Sequence, residues 1–252
     1  MHYLRENTAR NTASTQRSVY GSVFFDLGIE DTTAESITTD IAVRTRFFDD
    51  LLKKNIITMK QVVILACGGD FRPYRLLLPV NSTPIEFYLL DVPEVLAYRQ
   101  NCLEKLDQHS LTINCKVVEI ACNLANEEWS SKLLQHGFKP DQSTFWLAEG
   151  LLHYLYKHDI QKLFKKMRQL SAKDSCIVFD LVSPRLLNLL PIIHFALDDE
   201  QEIHQVFNEL GCEDIECTSF AKIGPIYGRT VSPDRTFIVN AKLFNGDIHS
   251  DY

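Results

Sequence analysis

The sequence predicts an α/β sandwich on a mainly parallel sheet of seven strands, with an antiparallel close at its C-terminal end. Three observations predict it. Apolar runs of strand length alternate with stretches of helical period along most of the chain. The run Val62-Val63-Ile64-Leu65-Ala66 is apolar and rich in β-branched residues, as a strand buried on both faces requires. A glycine pair, Gly68-Gly69, follows it, and a helix start at Arg72-Pro73-Tyr74 comes next. Strand, glycine turn and helix start together turn backbone N–H groups toward a nucleotide-like ligand, although the same turn also serves as ordinary punctuation.

The elements follow in order. Residues 1–34 are polar, with one apolar island at Val19-Tyr20 and Val23-Phe24-Phe25. This stretch reads as an N-terminal lid or a tail. From Glu35 to Asn55, Ile37, Ile41, Phe48, Leu51 and Leu52 recur at helical spacing. The second strand, Ile85 to Leu90, ends at Asp91, and a helix over about Pro93–Gln108 follows. An acid at that tip can accept hydrogen bonds from both hydroxyls of a ribose. Asn114–Ile120 is the third strand, and Thr144–Ala148 the fourth, ending at Glu149 where the carboxyl edge of the sheet opens. A helix from about His158 to Leu170 leads to a fifth strand at Ser175–Leu181. Ile215–Phe220 and Thr236–Leu243 pair as the closing strands, with Gly224, Pro225, Gly228 and Pro233 marking a loop between them.

Composition narrows the class. At 252 residues the chain is long enough for one full core, and it reads as a single domain. A net charge of −7 argues against nucleic acid, which needs a basic face. No apolar run reaches the length of a membrane span, and no secretory signal opens the chain. Seven cysteines without a C-x-x-C pair fit reduced thiols and a cytoplasmic setting. Cys67, inside the glycine turn, reads as a small packing residue. Nothing with metal-ligand spacing is visible, and oligomeric state is not readable.

The turn itself discriminates between ligands. In G-x-G-x-x-G register its positions are Ala66, Gly68 and Phe71, and a Phe where the third glycine must allow close packing argues against a dinucleotide pyrophosphate. S-adenosylmethionine is the better expectation.

Three segments, ILACGGDFRPYRL, LLDVPEVLAYR and WLAEGLLHYL, resemble the signatures of the leucine carboxyl methyltransferase family, and most closely its small-molecule O-methyltransferase branch. The resemblance covers at least Arg44–Leu155, with the motifs in order and at matching spacing. It implies a Rossmann-like class I methyltransferase fold with S-adenosylmethionine as methyl donor. It also implies helices of the N-terminal region over the cofactor, where Arg17 is a weak candidate, and a substrate-side cap at about residues 183–211. Cofactor-binding residues carried over are Arg44, for the donor's carboxylate, and Ala66, Gly68, Asp70 and Asp91. Asn123 and Leu124 are expected at the adenine, and Glu149 at the donor's amino group or backbone. The chain departs from the family at Ala66 (usually Gly), Asn123 (usually Asp) and His153 (usually Met).

The expected partner is a small methyl acceptor, with His153 and His194 as candidate catalytic residues and Phe195 and Tyr227 as pocket candidates. A carboxylate acceptor is favoured over a hydroxyl, because it is already ionised and neither histidine shows a recognisable acidic partner. Two alternatives stand beside this: a cofactor-binding protein without transferase activity, and methylation of a protein C-terminal carboxylate.

Overall fold

A computed structural model describes residues 31–78, 84–106, 114–126, 128–231 and 236–243. The proposed lid, with Arg17, lies outside them, apart from the first residues of helix α1 (Asp31–Asn55). Seven strands form one sheet: β1 (Gln61–Leu65), β2 (Ile85–Asp91), β3 (Cys115–Ala121), β4 (Thr144–Ala148), β5 (Cys176–Leu181), β6 (Cys212–Ser219) and β7 (Phe237–Leu243). Their spatial order is β3-β2-β1-β4-β5-β7-β6. All pairs among β1 to β5 are parallel, and β7 runs antiparallel to both β5 and β6. Fold class and strand count are therefore as the sequence predicts, with two antiparallel pairings closing the sheet.

Alternation along the central strands builds a core on each face. Val63 and Leu65 of β1, Tyr88 and Leu90 of β2, and Trp146 and Ala148 of β4 join one cluster. Helix α5 (Lys157–Gln169) covers it through Ile160, Leu163, Phe164 and Met167, and α7 (Glu200–Glu209) through Ile203 and Phe207. The intervening residues Val62, Ile64, Phe87, Leu89, Phe145 and Leu147 face the other way, where Val43, Phe48 and Leu52 of α1 meet them. Strands covered on both sides are why β1 and β4 carry no polar alternation. Burying a side chain such as Phe207 stabilises by roughly 1.5–3 kcal/mol, so the two clusters hold the sheet between helical layers.

Two details differ from the sequence expectation. The stretch read as a loop before β7 opens with helix α8 (Phe220–Ile226), in which Phe220 and Ile223 are buried. Glycine and proline signals pointed to a break, but the apolar pair at i, i+3 finds a core, and Pro225 sits near the helix end. A short amphipathic helix, α4 (Glu128–Gln135), also stands between β3 and β4, anchored by Trp129 and Leu133. No helix among the described residues is long and apolar enough to cross a membrane.

The remaining helices, α2 (Arg72–Arg75), α3 (Pro93–Glu104) and α6 (Arg185–Leu189), frame the carboxyl edge of the sheet. There the chain leaves β1 toward β2 on one side and returns as β4 on the other. Such a switch point leaves a crevice that no connection fills.

Candidate active site

The crevice is a cavity of about 530 Å³, walled by the segments that follow β1, β2, β4 and β5. Its floor is the glycine turn. Ala66 has φ of +50° and Gly68 +47°, which curl the backbone back after β1. The Gly68 N–H donates to Asp91 Oδ2 at 2.7 Å, and the Val92 N–H to Asp91 Oδ1 at 2.8 Å. The Asp91 pKa is raised, by burial above all, with these two N–H groups opposing the rise in part. Each carboxylate oxygen carries two acceptor sites, so each retains one beyond its bond to the turn.

The left-handed Ala66 costs roughly 1 kcal/mol through its Cβ, which glycine would not. We expect Ala66→Gly to leave donor affinity unchanged or to improve it, measured by calorimetric titration. A marked loss of affinity would mean that the methyl is a required packing element.

Above the floor lies a cluster of buried charge. Glu149, just past β4, accepts from Arg44 Nε at 3.0 Å, Thr45 Oγ1 at 3.1 Å and Arg72 Nη2 at 2.5 Å. Arg44 also donates through Nη1 to Asp180 Oδ2 at 3.1 Å, and the Gly150 N–H donates to Asp180 Oδ1 at 2.6 Å. Arg72 reaches Asp49 at 2.7 Å and the Asp70 carboxylate, while both terminal nitrogens of Arg75 sit on Asp49 at 2.6 and 2.8 Å. Burial works against the Glu149 charge, but Arg72 and Arg44 outweigh it and hold its pKa at about 2. Burial likewise opposes the charges of Arg44 and Arg72, and the neighbouring carboxylates more than compensate.

The cavity also has apolar lining: Val182, Leu186, Leu190 and Ile193, with Ile41 from α1. His153 also lines the cavity, in a 3₁₀ turn over Leu152–Tyr154, and is 5% exposed. Its carbonyl accepts from the N–H groups of His194 and Phe195, tying this turn to the apolar wall. Burial lowers the imidazole pKa, Asp180 opposes this, and Arg44 lowers it further.

Of the residues singled out in the sequence, Arg44, Ala66, Gly68, Asp70, Asp91, Glu149 and His153 line one cavity. Asn123, Leu124 and His194 stand outside it. Asn123 is exposed, and its Oδ1 accepts from the Ala125 N–H at 2.9 Å, closing a local turn. Leu124 packs on the core, and His194 is exposed with its ring stacked 4.1 Å from that of Tyr156. Phe195 is a core residue, Tyr227 donates to Asp50 at 2.9 Å, and Cys67 is buried with its thiol pushed up by that burial.

Sequence reading missed Asp180, Arg72, Arg75 and Asp49. A signal existed for Asp180, an acid inside the otherwise apolar strand CIVFDL. Charge inside a fully buried strand is costly without a partner, and that cost marks the residue. Asp49 carries no such signal, since only folding brings it against Arg72 and Arg75.

A family model described as leucine carboxyl methyltransferase matches residues 7–168. Among curated relatives, a protein of Parafrankia sp. (strain EAN1pec), provisionally named an S-adenosyl-L-methionine-dependent methyltransferase, is 34% identical over 148 residues. That match covers 58% of this chain and 46% of the relative. A protein of Mycobacterium avium (strain 104) with the same provisional name is 32% identical over 191 residues, covering 75% and 58%. The chain thus spans about half the length of the curated relatives it matches. Among solved structures, an O-methyltransferase family protein from Burkholderia thailandensis superposes with TM-score 0.54 at 14% identity, covering 92% of this chain and 64% of that one. The N-methyltransferase NodS from Bradyrhizobium japonicum WM9 gives TM-score 0.50 at 11% identity, covering 79% and 95%. At such identities these two likenesses speak for the fold alone.

Proposed function

The chain belongs to the leucine carboxyl methyltransferase family, and from that premise we propose that it transfers a methyl group from S-adenosylmethionine to an oxygen of a small molecule. The observation that carries the reading is Asp91. Its carboxylate is fixed on the glycine turn at the cavity floor, with one acceptor site left on each oxygen. A vicinal diol of a ribose fits those two sites.

Charge supports the choice of donor. Arg44, Arg72 and Arg75 face Asp70, Asp91, Glu94 and Glu149 around the cavity, and Asp49 and Asp180 pair with those arginines from behind. Counting the cavity lining alone, three cations against four acids leave the site negative. S-adenosylmethionine carries a sulfonium, an ammonium and one carboxylate, so it enters as a net cation. A dinucleotide would bring its pyrophosphate into the same field, against Coulomb repulsion. Phe71, buried at the position of the third glycine, further opposes the pyrophosphate geometry.

When bound, the donor supplies a methyl already activated on sulfur, so the protein's task is placement. In this reading Asp91 holds the ribose, and the backbone from Ala66 to Gly68 lies along the donor. Arg44, kept in place by Glu149 and Asp180, presents its guanidinium to the donor's carboxylate, for which a planar fork is the better match. Leu186, Leu190 and Ile193, from the segment read as a substrate-side cap, keep water from the acceptor side. The volume suits a donor with a small acceptor better than a folded protein partner.

The test is direct. Calorimetric titration should show binding of S-adenosylmethionine and of S-adenosylhomocysteine, and none of NADH. Binding of NADH alone would overturn the reading.

A further inference from the structure

We infer that the adenine of the methyl donor lies against helix α3, with its amino group on Glu94 and its ring on Tyr98, and not at the turn after β3. This rests on the methyl-transfer reading above and gives the donor a base subsite that the family motif does not supply.

The first argument is direction. When both hydroxyls of a ribose sit on Asp91, the base leaves from C1′ and the sulfur arm from the far side, beyond C4′. The sulfur arm runs to Arg44, which is paired with Glu149 just past β4. Strand β1 stands between β2 and β4, so that arm crosses β1 and the base points the other way, past β2. Helix α3 follows β2 and leans toward β3, where Arg99 donates to Glu119 at 2.8 Å. Its residues Glu94, Val95 and Tyr98 line the cavity at i, i+1 and i+4, one face of a helix. Glu94 is three positions from Asp91, so their Cα atoms are at most about 11 Å apart, the scale of a nucleoside. Asn123 and Leu124, the residues expected at the adenine, are not part of the lining.

The second argument is chemistry. Of the four acids lining the cavity, Asp70 and Glu149 are paired with Arg72, and Asp91 is held by two N–H groups. Glu94 has no such partner among the described residues, and it is exposed at the start of α3. A carboxylate only accepts hydrogen bonds, and the amino group of adenine offers two N–H donors. Tyr98, 45% exposed and one turn further on, supplies an aromatic face for the ring. Val95 adds apolar contact between them.

Glu94 also complements the positive end of the α3 dipole, so a change in stability would not tell the two roles apart. Discrimination between bases does, because the dipole has no preference among them.

The experiment is calorimetric titration with S-adenosylhomocysteine and with S-inosylhomocysteine, in which a carbonyl replaces the amino group of the base. A parent that binds neither compound would sink the methyl-transfer reading and the inference with it. The parent should bind the adenosyl compound at least tenfold more tightly, because the carbonyl meets Glu94 as acceptor against acceptor. In Glu94→Gln the ratio should fall below threefold, since an amide offers a donor or an acceptor to either base. Tyr98→Ala should weaken both compounds at least fivefold with their ratio unchanged, because stacking does not distinguish the bases. Asn123→Ala should leave both affinities within twofold of the parent. Glu94 and Tyr98 are exposed, so neither substitution opens a cavity in the core. A parent ratio near one overturns the inference, as does a ratio that survives Glu94→Gln or collapses in Asn123→Ala. Tyr98→Ala with both affinities intact overturns the placement of the ring.

Discussion

Glu149→Ala is expected to destabilise the fold by about 3 kcal/mol or more, read by chemical denaturation at neutral pH, because it strands buried arginine charge. Glu149 is the acid shared by Arg44 and Arg72, whose side chains are 16% and 3% exposed. Removing it leaves Arg44 with Asp180 and Arg72 with Asp49 and Asp70, so the loss falls at the lower end for a broken buried pair. The same residue sets a pH dependence. Its folded pKa, about 2, lies below the ordinary 4.5, so the contribution is complete above about pH 4.5 and disappears as pH falls toward 2. The span corresponds to roughly 3 kcal/mol in the parent. Acid unfolding of Glu149→Ala should accordingly be flatter across that window. A variant within 1 kcal/mol of the parent, with an unchanged acid profile, would show that the cluster has no net hold on the fold.

Asp91→Ala is expected to weaken S-adenosylmethionine binding by about 2–3 kcal/mol, the scale for hydrogen bonds to a charged group. Two effects combine in that figure. The ribose loses its carboxylate, and the Gly68 N–H loses the acceptor that fixes the turn. Asp91→Asn separates them, since its amide oxygen can still accept from one N–H but offers no second charged oxygen to a diol. Affinity should therefore fall in both variants and thermal stability mainly in the alanine variant. Equal calorimetric affinity in parent and both variants would remove Asp91 from the donor site.

Much of this was legible along the chain. The apolar run before Gly68-Gly69 and the acid ending the next strand are local patterns. They are governed by strand burial and by the turn's geometry, so sequence reading found β1, its turn, β2 and Asp91 together. Arg44 was reached through motif resemblance and Glu149 also by its place at the end of the fourth strand, and they lie within 3.0 Å of one another although 105 positions separate them. The histidines show where local reading stops. His153 and His194 were both candidate catalytic residues in the sequence, yet one lines the cavity and the other stacks on Tyr156 at the surface.

The sequence by itself determined the layer architecture, the carboxyl-edge turn and the family, because each depends on short-range periodicity or on contiguous motifs. Only the tertiary structure decided which charges neutralise which. Asp49, Arg72, Arg75, Glu149 and Asp180 come from the ends of two strands, β4 and β5, and from two helices, α1 and α2, and their pairing depends on the sheet order that sets β4 between β1 and β5. That pairing fixes the sign of the field in the cavity. Coulomb interactions act through space, and their strength follows distance and burial rather than separation along the chain.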